Sequence, residues 1–367
     1  MAYTEIKEVG KNKYYYLAKS VRRGSKIEKK RVYLGTNLNE EELAKKSETA
    51  NLPQADKIND LIFKELLKRG YMLEGKTRIW DLADSKLWYL STDQAKGFLN
   101  LEKDENYRRE IVEKEVKLIK DNLIKIIKIL PSKNYNLVDL GCGNGQKASL
   151  FIESLRKYIK LRYYPIDISS YMVRKAAETI RRLNVGEVLE FRWNISDFEN
   201  LENITPLFRD SVYHNHLMLL LGNTIGNFDK EDILHGIKNS MDKGDVLLIG
   251  NGLSSKFKHN WLEDYKTKKV NDWLIKIPLS LGLKREEVEY SARFVNSRVE
   301  ELYIIKKDKK IKHLGREVDF KKGDIIIAAI SYKYGKADFE KILNKFFSYV
   351  KLYLDKEETY ALAICKK

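Results

Sequence analysis

The stretch that most constrains this chain is Leu137-Val138-Asp139-Leu140-Gly141-Cys142-Gly143-Asn144-Gly145-Gln146-Lys147. Leu137, Val138 and Leu140 predict a buried strand. Gly141, Gly143 and Gly145 predict a sharp turn that a ligand can approach closely. Residues 146–159 then read as a helix whose first unpaired N–H groups suit polar ligand atoms. A Gly-x-Gly-x-Gly turn alone specifies little, because many strand-to-helix turns need glycine for backbone reasons.

Strand–helix alternation continues downstream. Residues 162–168 form the next predicted strand, with Asp167 at its end, and Ser169 caps a helix running to about residue 183. A third strand spans 187–193 and ends near Asn194 and Asp197. A fourth spans 216–221 and runs into Gly222-Asn223-Thr224-Ile225-Gly226-Asn227-Phe228, after which Asp229 caps a helix. A fifth spans 245–249. Such alternation predicts a mainly parallel sheet with helices on both faces and ligands at the carboxyl ends of the strands.

The flanking regions differ in style. Residues 1–36 read as a basic hairpin, with β-prone segments at 13–18 and 28–34 around the turn-like Arg23-Gly24-Ser25-Lys26. Its tyrosines, interleaved with Lys and Arg, suit either base stacking with phosphate neutralisation or a twisted sheet with one packed face. Asn39 with Glu40, Glu41 and Glu42 marks a helix start, and an amphipathic helix at 55–69 stops at Gly70. Residues 71–106 read as irregular and aromatic. Residues 107–130 read as one long helix carrying Val112, Val116, Ile119, Leu123, Ile126 and Ile127, ended by Pro131. Beyond residue 250 a helical stretch at 261–277, stopped by Pro278, precedes strands at 287–296, 298–306 and 324–331, a helix at 337–346 and a closing strand at 359–365.

Four regions are therefore expected: a basic N-terminal accessory region (1–70), a helical region contributing to the substrate pocket (71–130), the nucleoside-binding sheet (131–255) and C-terminal substrate elements with closing strands (256–367).

Composition sets the broad class. The chain has 367 residues, 43% hydrophobic and 33% charged, which fits a soluble globular protein. It lacks a long uncharged apolar run and an N-terminal signal pattern, so no membrane association is expected. Two cysteines, Cys142 and Cys365, make neither a metal cage nor a disulfide scaffold, and the expected compartment is the cytoplasm. The net charge of +16 suits an anionic partner or a lysine-rich solvated surface. His214 and His216 lack a plausible third ligand, so no zinc site is expected.

The candidate chemistry lies at the strand ends. Asp167 can accept both hydroxyls of a ribose, Asp197 can accept from an adenine amino group, and Asp139 can face a positively charged group. The glycine spacing departs from Gly-x-Gly-x-x-Gly, and no Gly-Lys-Ser/Thr phosphate loop is present. A ligand with ribose and adenine but no pyrophosphate fits, and S-adenosylmethionine is the common one.

Val138-Asp139-Leu140-Gly141-Cys142-Gly143 resembles the first motif of class I S-adenosylmethionine-dependent methyltransferases. Leu221-Gly222-Asn223-Thr224-Ile225-Gly226-Asn227-Phe228 resembles the Leu-Gly-Ser-Thr-Ile-Gly-Asn-Phe stretch of the family that contains the histidine Nα-methyltransferase of ergothioneine biosynthesis. Ala329-Ile330-Ser331-Tyr332-Lys333-Tyr334 is similar to its Glu-Ile-Ser-x-Lys-Tyr segment. The resemblance runs from about residue 85 to the end and has no counterpart for residues 1–70. It implies α/β architecture: a Rossmann-like class I methyltransferase sheet with an α+β substrate domain, here behind a small basic N-terminal β-hairpin and helical region. It also implies methyl transfer from S-adenosylmethionine to an amino-acid amine. By position, Gly141, Gly143, Lys147, Asp139, Asp167, Asp197 and Gly222 would hold the donor. Asn227 would hold the acceptor's amine and carboxylate, Tyr107 and Tyr265 would be the substrate-side tyrosines, and Ser331 would help hold an imidazole.

The departures shift the expected substrate. Ala329 stands where the family has the imidazole-binding glutamate. Glu301, in Arg298-Val299-Glu300-Glu301, stands where a methionine is expected, and favours a basic or amine-bearing side chain. Tyr107 sits in a degraded Tyr-Tyr-Pro-Thr-Arg motif. Three readings follow: N-methylation of an amino acid or related amine, histidine not being required; methylation of a protein or RNA docked through the basic N-terminus; or a sensor of S-adenosylmethionine without turnover.

Overall fold

The computed structural model describes residues 2–23, 26–39, 42–43, 46, 55–105, 108–183, 187–188, 198–254, 261–313 and 315–367. They fall into two units, Met1–Ile58 and Asn59–Lys367.

In the first unit β1 (Ala2–Val9), β2 (Asn12–Arg23) and β3 (Lys26–Thr36) form an antiparallel meander. The expected hairpin is β2–β3, and β1 adds a third strand that the charged Glu5, Lys7 and Glu8 concealed. Alternation puts Tyr15, Leu17 and Leu34 on one face, where they pack with Leu38 and Leu43. The helix start at Asn39 is a reciprocal capping box, with Glu42 N–H donating to the Asn39 side chain at 2.8 Å and Asn39 N–H to Glu42 at 3.1 Å.

Helix α1 (Ala55–Arg69) ends at Gly70 as expected. Residues 71–106 are more ordered than their composition suggests. They form the short strands β4 (Met72–Glu74) and β5 (Thr77–Asp81), then α2 (Thr92–Glu102), whose Ser91–Gln94 capping box is a passed-over sequence signal. The long helix expected at 107–130 is instead a π-helical turn, Arg108–Glu113, followed by α3 (Lys114–Ile129). Glu115, Leu118, Ile119, Asn122 and Ile126 of α3 face inward.

The glycine turn lies between β6 (Asn134–Leu140) and α4 (Gln146–Leu155). Next come β7 (Lys160–Ile166), α5 (Ser170–Arg181), β8 (Glu187–Val188), β9 (Asn215–Leu220), α6 (Lys230–Ser240) and β10 (Val246–Gly252). The third predicted strand beyond Val188 lies outside the described residues. Helix α7 (Lys268–Leu274) precedes a short helix, Lys276–Ser280, that contains Pro278. Pro278 does not end the helical stretch, because the N–H it lacks would be unpaired in a first turn anyway.

Then follow β11 (Val288–Val295), β12 (Arg298–Ile305), a charged hairpin of β13 (Lys309–His313) and β14 (Arg316–Phe320), and β15 (Ile325–Tyr332). The chain closes with α8 (Lys336–Phe346), β16 (Tyr349–Leu354) and β17 (Tyr360–Lys366). The β13–β14 hairpin was not expected, because Ile311 and Val318 are scattered among lysines and acids; β16 was not expected either, although it is apolar apart from Lys351.

Two sheets organise the second unit. The larger has the order β16-β17-β10-β9-β6-β7-β8, parallel except for β17, which is antiparallel to both its neighbours. Its two faces are covered by separate apolar clusters: one includes Leu118, Phe151 and Ile180, the other Leu201, Leu234 and Phe339. The smaller sheet, β11-β12-β15-β5-β4, carries Glu301 on β12 and Ser331 on β15. Asp324 anchors it, accepting from the Arg78 guanidinium at 2.5 and 3.0 Å and from the Trp80 indole at 3.2 Å. No helix among the described residues is long and apolar enough to cross a membrane.

Gly145 fixes how the glycine turn packs. Its φ is +76°, and a Cβ there would lie 2.8 Å from Ala176 Cα and 2.9 Å from the Ala176 carbonyl oxygen on α5. Gly145→Ala is therefore expected to lose about 3 kcal/mol of stability in urea unfolding. A variant within about 0.5 kcal/mol of the parent would contradict this packing.

Candidate active site

A cleft of about 710 Å³ opens at the carboxyl ends of β6, β7, β9 and β10, and β12, β15, α2 and α7 supply further parts of its lining. Asp139, Gly141, Gly143, Lys147, Asp167, Gly222, Asn227, Tyr265, Glu301 and Ser331 all line it. The structure thus brings together ten residues singled out separately in the sequence. Tyr107 and Asp197 lie outside the described residues.

On one side the glycine turn is held by backbone bonds, Gly141 N–H donating to the Ile166 carbonyl at 2.8 Å and Gly145 N–H to the Cys142 carbonyl at 2.9 Å. Asp167 accepts from Ser169 N–H at 2.9 Å and from Gly143 N–H at 3.4 Å. Burial pushes its carboxyl up to about 7 despite those bonds. Asp139 accepts from the Tyr163 hydroxyl at 2.7 Å, and burial raises it to about 6. Burial also pushes the Cys142 thiol up, which suits a packed residue and not a nucleophile.

Behind the turn lies a carboxylate that the apolar-stripe reading did not single out. Glu115 is 0% exposed. It accepts from Gly222 N–H at 2.9 and 3.2 Å and from the Tyr360 hydroxyl at 2.7 Å. Lys147 Nζ lies 3.3 Å from Glu115 and 4.0 Å from Glu102. A Cβ at Gly250 would fall 1.8 Å from Glu115 Oε1, so the carboxylate rests directly against the β10 backbone. The sequence did hold a signal: Glu115 sits three and four residues before Leu118 and Ile119 on one helical face, where an acid needs a buried partner.

On the other side, Asn223 is in the left-handed region (φ 64°) and its side chain accepts from Gly252 N–H at 2.6 Å. This pins the turn Thr224–Asn227 against Ser331 and Tyr332 at the end of β15. Glu301 is 6% exposed and pairs directly across the ladder with Ala329. Burial raises it to about 7, while Lys333 and a hydrogen bond with Tyr290 pull it down. Lys333 Nζ donates to Ser331 Oγ at 2.7 Å and lies 5.1 Å from the Tyr265 ring centroid. Because Lys333 fills an acceptor position of Ser331, the hydroxyl hydrogen is left for a ligand.

Trp88, Tyr89, Phe98 and Trp273 add an aromatic wall, with ring centroids 5.4 to 6.4 Å apart. Among the described residues no cluster of three or more His, Cys, Asp or Glu side chains could hold a metal ion.

A nucleoside with a cationic tail fits this donor set. Buried Asp167 lines the cleft, where a carboxylate suits the diol of a ribose, and a Cβ at Gly143 would meet nothing within 4 Å, so the turn leaves room beside it. Strand order, glycine turn and strand-end acids together define a class I S-adenosylmethionine-dependent methyltransferase. Residues 101–367 match the family described as histidine-specific methyltransferase, SAM-dependent, and the chain belongs to that family.

Ergothioneine biosynthesis protein 1 of Schizosaccharomyces pombe is 26% identical over 123 residues, covering 32% of this chain and 16% of that protein. The chain thus spans about a sixth of that relative's length. Among solved structures, an S-adenosylmethionine-dependent methyltransferase from Clostridium acetobutylicum is 15% identical with a TM-score of 0.40, over 74% of this chain and 98% of that one. The PH0226 protein from Pyrococcus horikoshii is 12% identical with a TM-score of 0.39, over 75% and 99%.

With Asp167 as the ribose acceptor, donor binding is expected to depend on pH. Ribose hydroxyls bond better to a carboxylate than to a carboxylic acid, and burial holds Asp167 up to about 7. Affinity for S-adenosylhomocysteine is therefore expected to rise with pH up to about 7 and then level off. Asp167→Asn should weaken binding about tenfold above that pH and flatten the profile. Calorimetric titration checks both, and a pH-independent parent would contradict the assignment.

Proposed function

We propose that this enzyme methylates the amine of an amino acid, or of a closely related amine, that carries a second cationic or N–H-rich group. The observation that carries the reading is the placement of Glu301. The family resemblance implies a glutamate at position 329, where this chain has alanine. Ala329 and Glu301 are directly opposed in the β12–β15 ladder, so a carboxylate is still offered from the same face, one strand over. Histidine and other basic amino acids remain compatible with that arrangement.

S-adenosylmethionine, when bound, supplies an activated methyl group on a sulfonium centre. Asp167 and the Gly141–Gly143 backbone would hold its nucleoside, with Asp139, Lys147 and Gly222 around its amino-acid end. Asp197 is assigned to the adenine by position in the sequence alone. Asn227 would orient the acceptor amine and its carboxylate, with Tyr265 and Tyr107 fixing the direction of the lone pair. The amine must be neutral to react, and water or a nearby acid takes the proton released. Ser331 and Glu301 would grip the acceptor's far end. Lys333 keeps Glu301 more readily ionised than burial alone would allow.

The competing reading, a protein or RNA acceptor brought in through residues 1–70, draws on the basic N-terminal sheet. The enclosed acidic and hydroxyl groups at Glu301 and Ser331 favour the small acceptor.

A panel of amino acids with methyl-labelled donor tests the proposal. Basic side chains should be preferred, and Glu301→Gln should lower kcat/KM for them about a hundredfold, through the loss of a charged hydrogen bond in a buried site. Asn227→Ala should abolish turnover while S-adenosylhomocysteine binding persists. Preference for a neutral acceptor, or an unaffected Glu301→Gln, would sink the proposal.

A further inference from the structure

Methylation of a small amine makes no use of the tyrosine face of the N-terminal sheet. Residues 2–36 carry ten Lys and Arg against three acids, Glu5, Glu8 and Glu28. In register, Glu5, Tyr16 and Tyr33 lie side by side across the three strands, with Lys7 beside Tyr14. They occupy the face opposite the packed Tyr15, Leu17 and Leu34. The Tyr16 and Tyr33 ring centroids are 5.4 Å apart, Lys7 Nζ is 5.8 Å from the Tyr16 centroid, and Tyr33 is 54% exposed. Arg31 at the edge is tied to Glu5 at 3.1 Å and Lys13 to Glu8 at 3.2 Å, and the sequence of residues 2–36 holds seven more cations than acids.

We infer that this face binds single-stranded nucleic acid. Tyr16 and Tyr33 stack on bases, while Lys7 beside Tyr16 and the net positive charge of the segment attract phosphates. Positive charge alone would suit any polyanion. Adjacent tyrosines on an open sheet face select a partner with flat π-surfaces, which an acidic peptide or a lipid headgroup lacks. The inference is independent of the amine-methylation reading, since it concerns a separate unit of the chain.

Fluorescence anisotropy with the full-length protein and a labelled oligouridylate of about 20 nucleotides tests it. Binding is expected to weaken steeply between about 50 and about 200 mM salt. Tyr16→Ala and Tyr33→Ala should each loosen it about tenfold, while Tyr33→Phe, which keeps the ring, retains it. Methyl transfer to a small acceptor should be unchanged in all three. Absence of binding at low salt would overturn the inference. So would equal binding by parent and alanine variants, or tighter binding to polyglutamate or anionic vesicles.

Discussion

One buried carboxylate ties the active site together. Glu115 on α3 collects the Gly222 amide, the Tyr360 hydroxyl and the Lys147 ammonium, and lies against the β10 backbone at Gly250. Four segments distant in sequence meet at its two oxygens: the first turn of α4, the loop after β9, β10 and the last strand. A charge with no solvent contact is tolerated because every partner is in place, and removing one would leave the others uncompensated. The arrangement fixes Lys147 at the edge of the cleft and Gly222 just before the Thr224–Asn227 turn. The glycine-turn side and the Asn227 side of the cleft are thereby registered to each other through one side chain.

The Asn227 side of the cleft is built differently. Asn223 bridges to the Gly252 amide, and the turn that follows rests on the end of β15. That contact brings the larger sheet's Asn227 and the smaller sheet's Ser331 to one cleft. Glu301 on β12 stands directly opposite Ala329 on β15, so under the proposed amine methylation its carboxylate would read the acceptor's side chain from β12.

Much of this was legible in the sequence, for stated physical reasons. The sheet showed itself through apolar strands alternating with capped helices, and the glycine turn and Gly222–Phe228 placed the cleft. What stayed hidden were elements whose burial is partial or whose pattern is broken by function. Strands β1 and β13 are charged along their exposed sides, so alternation was masked. The π-helical turn at Arg108–Glu113 interrupts the helix that the apolar spacing predicted, and the buried stripe of α3 includes Glu115 in place of Val116. Trp88, Tyr89 and Phe98 looked like an irregular aromatic stretch because β4, β5 and α2, which position them, are short. Glu301 was found from the sequence, but its opposition to Ala329 needed the strand register.

The most direct test of the account is to ask where the methyl group goes. Purified enzyme is incubated with methyl-labelled S-adenosylmethionine and cell extract, which is then separated into small-molecule, RNA and protein fractions. The account predicts label in the small-molecule fraction, on the amine of a basic amino acid or close relative. Label confined to RNA or protein would contradict it.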